Sequence, residues 1–249
     1  MANKPYVLSI AGFDPSSGAG ITSDIKTFEQ NGVYGLGACS AITYQNESEF
    51  EGVDWLPVEN IIRQMEVLFR KYSIGYVKIG LVENLEVLYR LVFYLSGKNT
   101  CIVWDPIVNA SAGYSFHSNW DIGLIKAIMA NIYLLTPNLP EFIFIGNLLG
   151  LQSAPEFIHE TQLKALLLKG GHNSGNECAD NLYLEHNKVV SIKGNRIAGT
   201  EKHGTGCVLS SAIVAQLALG GNLPQACGYA KRYVEKFIQS NPILLGYHL

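Results

Sequence analysis

Along this chain, stretches of continuous apolar residues take turns with stretches in which apolar residues recur at helical spacing, which predicts strands and helices in alternation. Residues 6–10 form a short apolar run that feeds a Gly-rich loop at 12–20, and residues 21–30 then read as a helix. The small-residue apolar run at 35–43 predicts a second buried strand. Within 58–72, Ile61, Ile62, Met65, Leu68 and Phe69 recur at helical spacing ahead of a strand at 76–79. The pattern continues with a helix at 85–95, a strand at 101–104 closed by Asp105-Pro106, a helix at 122–129 and a strand at 132–135 stopped by Thr136-Pro137. A helix at 139–149 precedes a strand at 165–168 that ends in Lys169-Gly170-Gly171. Two β-rich runs, 181–185 and 188–192, flank His186-Asn187 and read as a hairpin, and two helices, 206–219 and 224–239, complete the order.

Strands alternating with helices predict an α/β fold, a central, mostly parallel sheet with helices on both faces. Such sheets place their ligands beyond the carboxyl ends of the strands. No internal repeat, low-complexity tract or Pro/Ser-rich linker divides residues 1–249, so a single domain is expected.

Composition narrows the function classes. Hydrophobic residues make up 48% and charged residues 16%, which excludes a disordered chain. The net charge is −3 with no run of Lys or Arg, so neither nucleic acid nor an anionic membrane is expected as a partner. Apolar runs such as 212–219 fall far short of the ~20 residues that cross a bilayer. The first residues lack the charged, apolar and small-residue sequence of an export signal. Five cysteines without a C-x-x-C pair, and six histidines without ligand spacing, point to a reduced cytoplasm and away from a structural metal.

The polar clusters fall at predicted strand or helix ends. His203-Gly204-Thr205-Gly206-Cys207 opens a helix; closely spaced glycines let backbone N–H groups converge on an anion, and the first turn of a helix favours a thiolate. The alternative is a Gly-rich turn before a buried structural cysteine. The loop 12–20 lacks the Gly-Lys-Ser/Thr of a P-loop and the third glycine of a dinucleotide fingerprint. It lets backbone at Gly12 approach a small flat ligand, with Asp24 facing it from the helix, or else it is an ordinary strand-to-helix turn. Asp105 and Glu141 are candidate Mg²⁺ ligands, directly or through water; Asn138 with Glu141 three positions later also reads as a capping box. Lys169, at a strand end before two glycines, is placed to meet nucleotide phosphates unless it is simply solvated. Gln45, in Tyr44-Gln45-Asn46, carries an amide that matches the ring nitrogen and amino edge of an aminopyrimidine, though a polar loop residue has the same appearance.

Taken in order, A-G-F-D-P-S-S-G-A-G-I-T-S-D-I-K, Y-Q-N, K-I-G, W-D-P-I-V, T-P-N-L-P-E, K-G-G-H and H-G-T-G-C-V-L-S-S-A resemble the hydroxymethylpyrimidine/phosphomethylpyrimidine kinases of the ribokinase-like superfamily. The resemblance runs from about residue 7 into the last helices. It implies a ribokinase-like fold and a homodimer. It also implies the use of ATP and Mg²⁺ to phosphorylate 4-amino-5-hydroxymethyl-2-methylpyrimidine and then its monophosphate, in thiamine biosynthesis. By position, it places Gln45 and Asp24 with Gly12 at the substrate, and Asp105, Asn138 and Glu141 around Mg-ATP. Lys169 stands near the phosphates, Gly204, Thr205 and Gly206 in the anion hole. Cys207 stands where sugar kinases of the superfamily carry a catalytic Asp, as base or orienting group. Four features depart from the family pattern: P-S-S-G in place of P-S-G-G, Leu81 in place of Met, no Asn-Thr in the loop 199–202, and a short segment between 150 and 168 that implies a truncated helix.

Two other readings compete. A pyridoxal or pyridoxine kinase of the same family shares the G-x-G-C pattern, but that branch lacks the Gln at position 45. A non-catalytic pyrimidine-binding module has no need of Asp105, Glu141, Lys169 and Cys207 together.

Overall fold

A computed structural model describes residues 4–108, 120–170, 178–195, 197 and 202–249. The elements follow in the order β1 (Tyr6–Phe13), α1 (Gly20–Gln30), β2 (Tyr34–Gln45), β3 (Phe50–Trp55), α2 (Val58–Phe69), β4 (Ile74–Ile79), α3 (Leu85–Ser96), β5 (Cys101–Trp104) and α4 (Ile122–Met129). Then come β6 (Leu134–Leu135), α5 (Leu139–Leu149), α6 (Ala154–Thr161), β7 (Ala165–Leu168), β8 (Asp180–Leu184), β9 (Lys188–Ile192), α7 (Thr205–Ala218) and α8 (Leu223–Gln239).

Among the described residues, the strands form one nine-stranded sheet in the order β3-β2-β1-β4-β5-β6-β7-β8-β9. The central six are parallel, while β3 and the β8–β9 hairpin add antiparallel edges. The chain leaves β1 toward β2 and returns on the other side of β1 with β4, so the topology reverses there and a crevice opens beyond the strand ends.

Side chains that alternate across the pleat build two cores. Val7, Phe28, Val103, Leu134, Leu182, Val208 and Ile213 pack on the face carrying α1, α7 and α8. Leu8, Ile10, Met65, Leu88, Leu91, Ile125 and Phe157 pack on the face carrying α2 to α6. Helix α7 is buried on nearly every side, without a break from Cys207 to Ala215. It is largely apolar, with Ser210 and Ser211 buried too, because it lies between the sheet, α1 and α8.

Two elements lie outside the runs and spacings read along the chain, although the second stands where the family resemblance implies a truncated helix. β3 is a half-exposed edge with charges at Glu51 and Asp54, and its pairing with β2 makes it a strand. α6 is only eight residues long; its signal was the Ser153 cap, whose side chain accepts the Glu156 N–H. β6 shrinks to two residues where the sequence predicts a strand at 132–135.

Candidate active site

Two glycine loops, far apart in sequence, fold onto one another at the ends of β1 and α7. Asp14 is buried and staples the first loop: it accepts hydrogen bonds from the Ser16 N–H at 2.9 Å, the Ser16 hydroxyl at 2.8 Å and the Ala19 N–H at 2.9 Å. Its other contact, with His203 Nε2 at 2.9 Å, ties that loop to the segment before α7. Gly204 has φ +79° and lies so close to the first loop that a Cβ there would sit 2.0 Å from the Gly18 carbonyl oxygen. Only glycine meets both demands.

Helices α1 and α7 both begin at this junction, and neither N-cap, Ala19 or Gly204, supplies a capping side chain. Their first-turn N–H groups keep positive partial charge for an anion. Gly204, Thr205 and Gly206 thus form an amide-rich turn beside Asp105 and Lys169; a Cβ on Gly206 would lie 3.5 Å from Asp105 Oδ2 and 3.6 Å from Lys169 Nζ. Cys207 lies between the two helix starts, with the Gly20 backbone close enough to favour its ionised form slightly. Burial pushes its thiol up to about 11, prevailing over Lys78, which pulls the other way, while Asp24 and Asp105 add to the rise. The expectation of a thiolate is therefore corrected: at neutral pH Cys207 is a thiol, because desolvation outweighs the field of the helix start.

Asp105, at the end of β5, is nearly fully buried. Its Oδ1 accepts from Lys169 Nζ at 3.0 Å and Thr136 Oγ1 at 3.1 Å, and its Oδ2 from Ser210 Oγ at 3.3 Å. Burial opposes its ionisation, but Lys169 and Lys78, with the hydrogen bonds from Lys169 and Thr136, hold its carboxyl below the usual carboxylate range. Lys169 is not a solvated surface lysine: it is largely buried, also lies 3.8 Å from Glu141 Oε2, and stays charged because Asp105 and Glu141 overcome the effect of burial.

Glu141 and Asn138 form a complete capping box on α5, with the Asn138 N–H donating to Glu141 Oε2 at 2.7 Å and the Glu141 N–H to Asn138 Oδ1 at 2.8 Å. The same Glu141 faces Lys169, so the capping role and a role at the site are compatible. Burial pushes the Glu141 carboxyl up to about 7, Lys169 lowers it and Asp105 raises it.

Asp24 is a correction. It is wholly buried beneath the site, and its carboxylate is filled by Lys78 at 2.7 Å to both oxygens, Ser9 Oγ at 2.5 Å and Ser211 Oγ at 2.8 Å, so it does not face a ligand. Gly12 sits opposite a β-bulge in β2, where Ser40 is the extra residue, and a Cβ on Gly12 would press to 3.0 Å on Leu81. Gln45 ends β2, half-buried, opposite Phe50 on β3. The K-G-G-H motif beyond Gly170 and residues 199–201 lie outside the described residues. Sequence reasoning missed Lys78, Thr136, Ser210 and Ser211 as partners of the site carboxylates, although all four stand inside the quoted motifs.

An amide-rich turn, a thiol between two helix starts and a lysine paired with two carboxylates suit the handling of a transferring phosphoryl group. Among the described residues, no group of three or more His, Cys, Asp or Glu side chains could hold a metal unaided, and no helix is long and apolar enough to cross a membrane.

Known proteins share this sequence pattern and this fold. The family model for phosphomethylpyrimidine kinase matches residues 14–248. A hydroxymethylpyrimidine/phosphomethylpyrimidine kinase of Aquifex aeolicus is 34% identical over 241 residues, covering 94% of both chains, and one of Rhizobium meliloti is 35% identical over 240 residues, covering 94% of this chain and 90% of its own. The crystal structure of the Clostridium difficile phosphomethylpyrimidine kinase superposes with a TM-score of 0.78 at 32% identity, over 94% of this chain and 99% of that one. The pyridoxal kinase of Staphylococcus aureus in complex with AMP-PCP reaches 0.80 at 25% identity, over 96% and 89%. By sequence and by fold, this chain belongs to the phosphomethylpyrimidine kinase family, phosphotransferases of the ribokinase-like fold.

Proposed function

We propose that the chain transfers the γ-phosphoryl group of ATP to the hydroxymethyl oxygen of 4-amino-5-hydroxymethyl-2-methylpyrimidine, and then a second to the resulting monophosphate. The observation that carries this reading is the convergence of two helix starts without side-chain caps, α1 and α7, on Cys207 beside the Asp105–Lys169 pair.

In this reading the N–H groups at Gly204, Thr205 and Gly206 receive the charge that spreads over the phosphoryl oxygens, and Lys169 neutralises it from the side. Cys207, a thiol, orients the attacking oxygen and is not a resting base. The hydroxyl proton leaves late in a loose transfer, to an oxygen of the transferred group. Gln45 pairs with the ring nitrogen and amino edge of the pyrimidine, and Gly12 leaves room for the ring beside Leu81. Asn138 fixes the start of α5, and through it Glu141.

The donor set fits Mg²⁺, since Asp105 and Glu141 offer hard carboxylate oxygens of the kind that hold this ion jointly with substrate phosphates. Bound by these residues, directly or through water, the ion would neutralise phosphate charge. The working unit is the single domain 1–249 as a cytoplasmic homodimer, which sedimentation of the purified protein would test.

The deciding experiment is ADP formation from ATP with the hydroxymethylpyrimidine, its monophosphate and pyridoxal in parallel. Turnover with both pyrimidines and weak turnover with pyridoxal is expected. Preference for pyridoxal would overturn the substrate, and no turnover with any of the three would overturn the kinase reading.

A further inference from the structure

Lys78 and Asp24 form a buried ion pair that the reading above leaves without a task. Both side chains are fully buried. Ser9 and Lys78 are register partners on the adjacent strands β1 and β4, and with Val77 and Ile79 packed in the opposite core, Lys78 faces α1 and α7. Its ammonium donates to both Asp24 oxygens at 2.7 Å. The hydroxyls of Ser9 and Ser211 donate to the same carboxylate, so one cluster joins β1, α1, β4 and α7. A Cβ at Gly80 would lie 3.1 Å from the Lys78 nitrogen, so glycine there leaves the ammonium its room.

Stability alone does not account for this cluster. Taking two charges out of water is expensive, and an apolar pair of similar volume in such a place is often equally stable or more so. The surroundings would accept one, since Val7, Phe28, Val103, Val208 and Ala212 form an apolar core on this face. What the charges have nearby is the site. Burial works to discharge the Lys78 ammonium, but Asp24 and Asp105 keep it charged, and Lys78 in turn pulls the Asp105 carboxyl and the Cys207 thiol downward. Two serine hydroxyls share the charge of Asp24, so the carboxylate does not depend on Lys78 alone.

We propose that Lys78, held in place by Asp24, is a positioning residue for phosphoryl transfer: a fixed positive charge between β4, α1 and α7 that acts through the anion turn and Cys207 and favours the charge distribution of the transfer step over that of bound substrate. A preorganised charge in a dry setting acts without reorganising, so its effect falls on the rate and not on binding. The inference rests on the kinase reading of the previous subsection.

The test is the double variant Asp24→Leu/Lys78→Met, which removes both charges together and leaves neither uncompensated. Its Tm should equal or exceed that of the parent, and KM for ATP and for the hydroxymethylpyrimidine should stay within about threefold, while kcat falls by tenfold or more. Ser211→Ala, which withdraws one donor from Asp24 and keeps the pair, should lower kcat several-fold at unchanged KM. It reports even if the double variant does not fold. Parent-like kcat in either folded variant would overturn the inference, as would a loss carried wholly by KM. A parent protein inactive on every hydroxymethyl substrate would overturn the kinase reading and this inference with it, whereas an active parent matched by an active double variant overturns the inference alone.

Discussion

Asp14 and His203, 189 positions apart, meet at 2.9 Å and are both buried, so one contact joins the loop after β1 to the loop before α7. The C-terminal residues close over the same junction. The His203 N–H donates to the Leu244 carbonyl at 3.0 Å, and the buried Lys202 donates to the carbonyl oxygens of Asn241 and Ile243. The turn before α7 is thus held from two distant parts of the chain.

Asp14→Asn keeps the shape of that contact but turns one acceptor oxygen into a donor, facing N–H groups that need an acceptor. Leaving such groups unpaired costs about 1–3 kcal/mol, and for a chain of this size a fall in Tm of roughly 2–12 °C is expected. Calorimetry checks the Tm, and kcat measured well below the new Tm should also fall. An unchanged Tm would mean that the loops are held without Asp14.

Cys207→Ser and Cys207→Ala separate the two roles open to this residue. If Cys207, its thiol pushed up to about 11 by burial, orients the attacking oxygen as proposed, a serine hydroxyl can partly replace it. Cys207→Ala should lose roughly tenfold or more in kcat with little change in KM, and Cys207→Ser should recover part of the loss. Equal inactivity of the two variants would point to a thiolate base.

Glu141 gives the ligand-free protein a specific pH response. Its carboxyl stands at about 7 in the folded protein, against 4.5 for an unperturbed group. Between those values the folded state keeps a proton that the unfolded chain has released, so this group makes stability fall as pH rises from 4.5 to 7. Asp14 and Asp105, both lowered, act in the opposite sense: their contributions are present above 3.8 and are lost as pH falls further. Glu141→Gln, which can still accept the Asn138 N–H, should flatten the decline in Tm between pH 5 and pH 8. An identical slope in parent and variant would sink the assignment.

In the proposed reading, Gln45 decides between pyrimidine and pyridine. Removing its amide leaves the polar edge of the substrate unpaired, at about 1–3 kcal/mol, or roughly tenfold and more in kcat/KM. Gln45→Ala should therefore narrow the preference for the hydroxymethylpyrimidine over pyridoxal. A preference that survives the change intact would show that another residue reads the ring.

Much of the fold was legible because its signals are local. Apolar runs at 101–104 and 165–168 predict β5 and β7 to the residue, and helical spacing predicts α4 and α5 in the same way. β3 was not legible, since a half-exposed edge strand carries no apolar run and owes its form to the register with β2. The motifs at Asn138, Lys169 and Gly204 to Cys207 marked the strand and helix ends that gather at the site, because glycine, proline and capping residues act on the backbone beside them. Burial and long-range pairing were beyond the sequence. Asp24 on its amphipathic helix reads as a ligand-facing carboxylate, and only the packing of α1 against β1, β4 and α7 places Lys78 upon it. Cys207 in a helix start reads as a thiolate, and only its enclosure between two helices raises it to a thiol. Periodicity and turn chemistry depend on neighbours in the chain, which the sequence lists in order; the charge state of a buried group depends on the solvent it has lost and the charges it has met, and folding alone decides both.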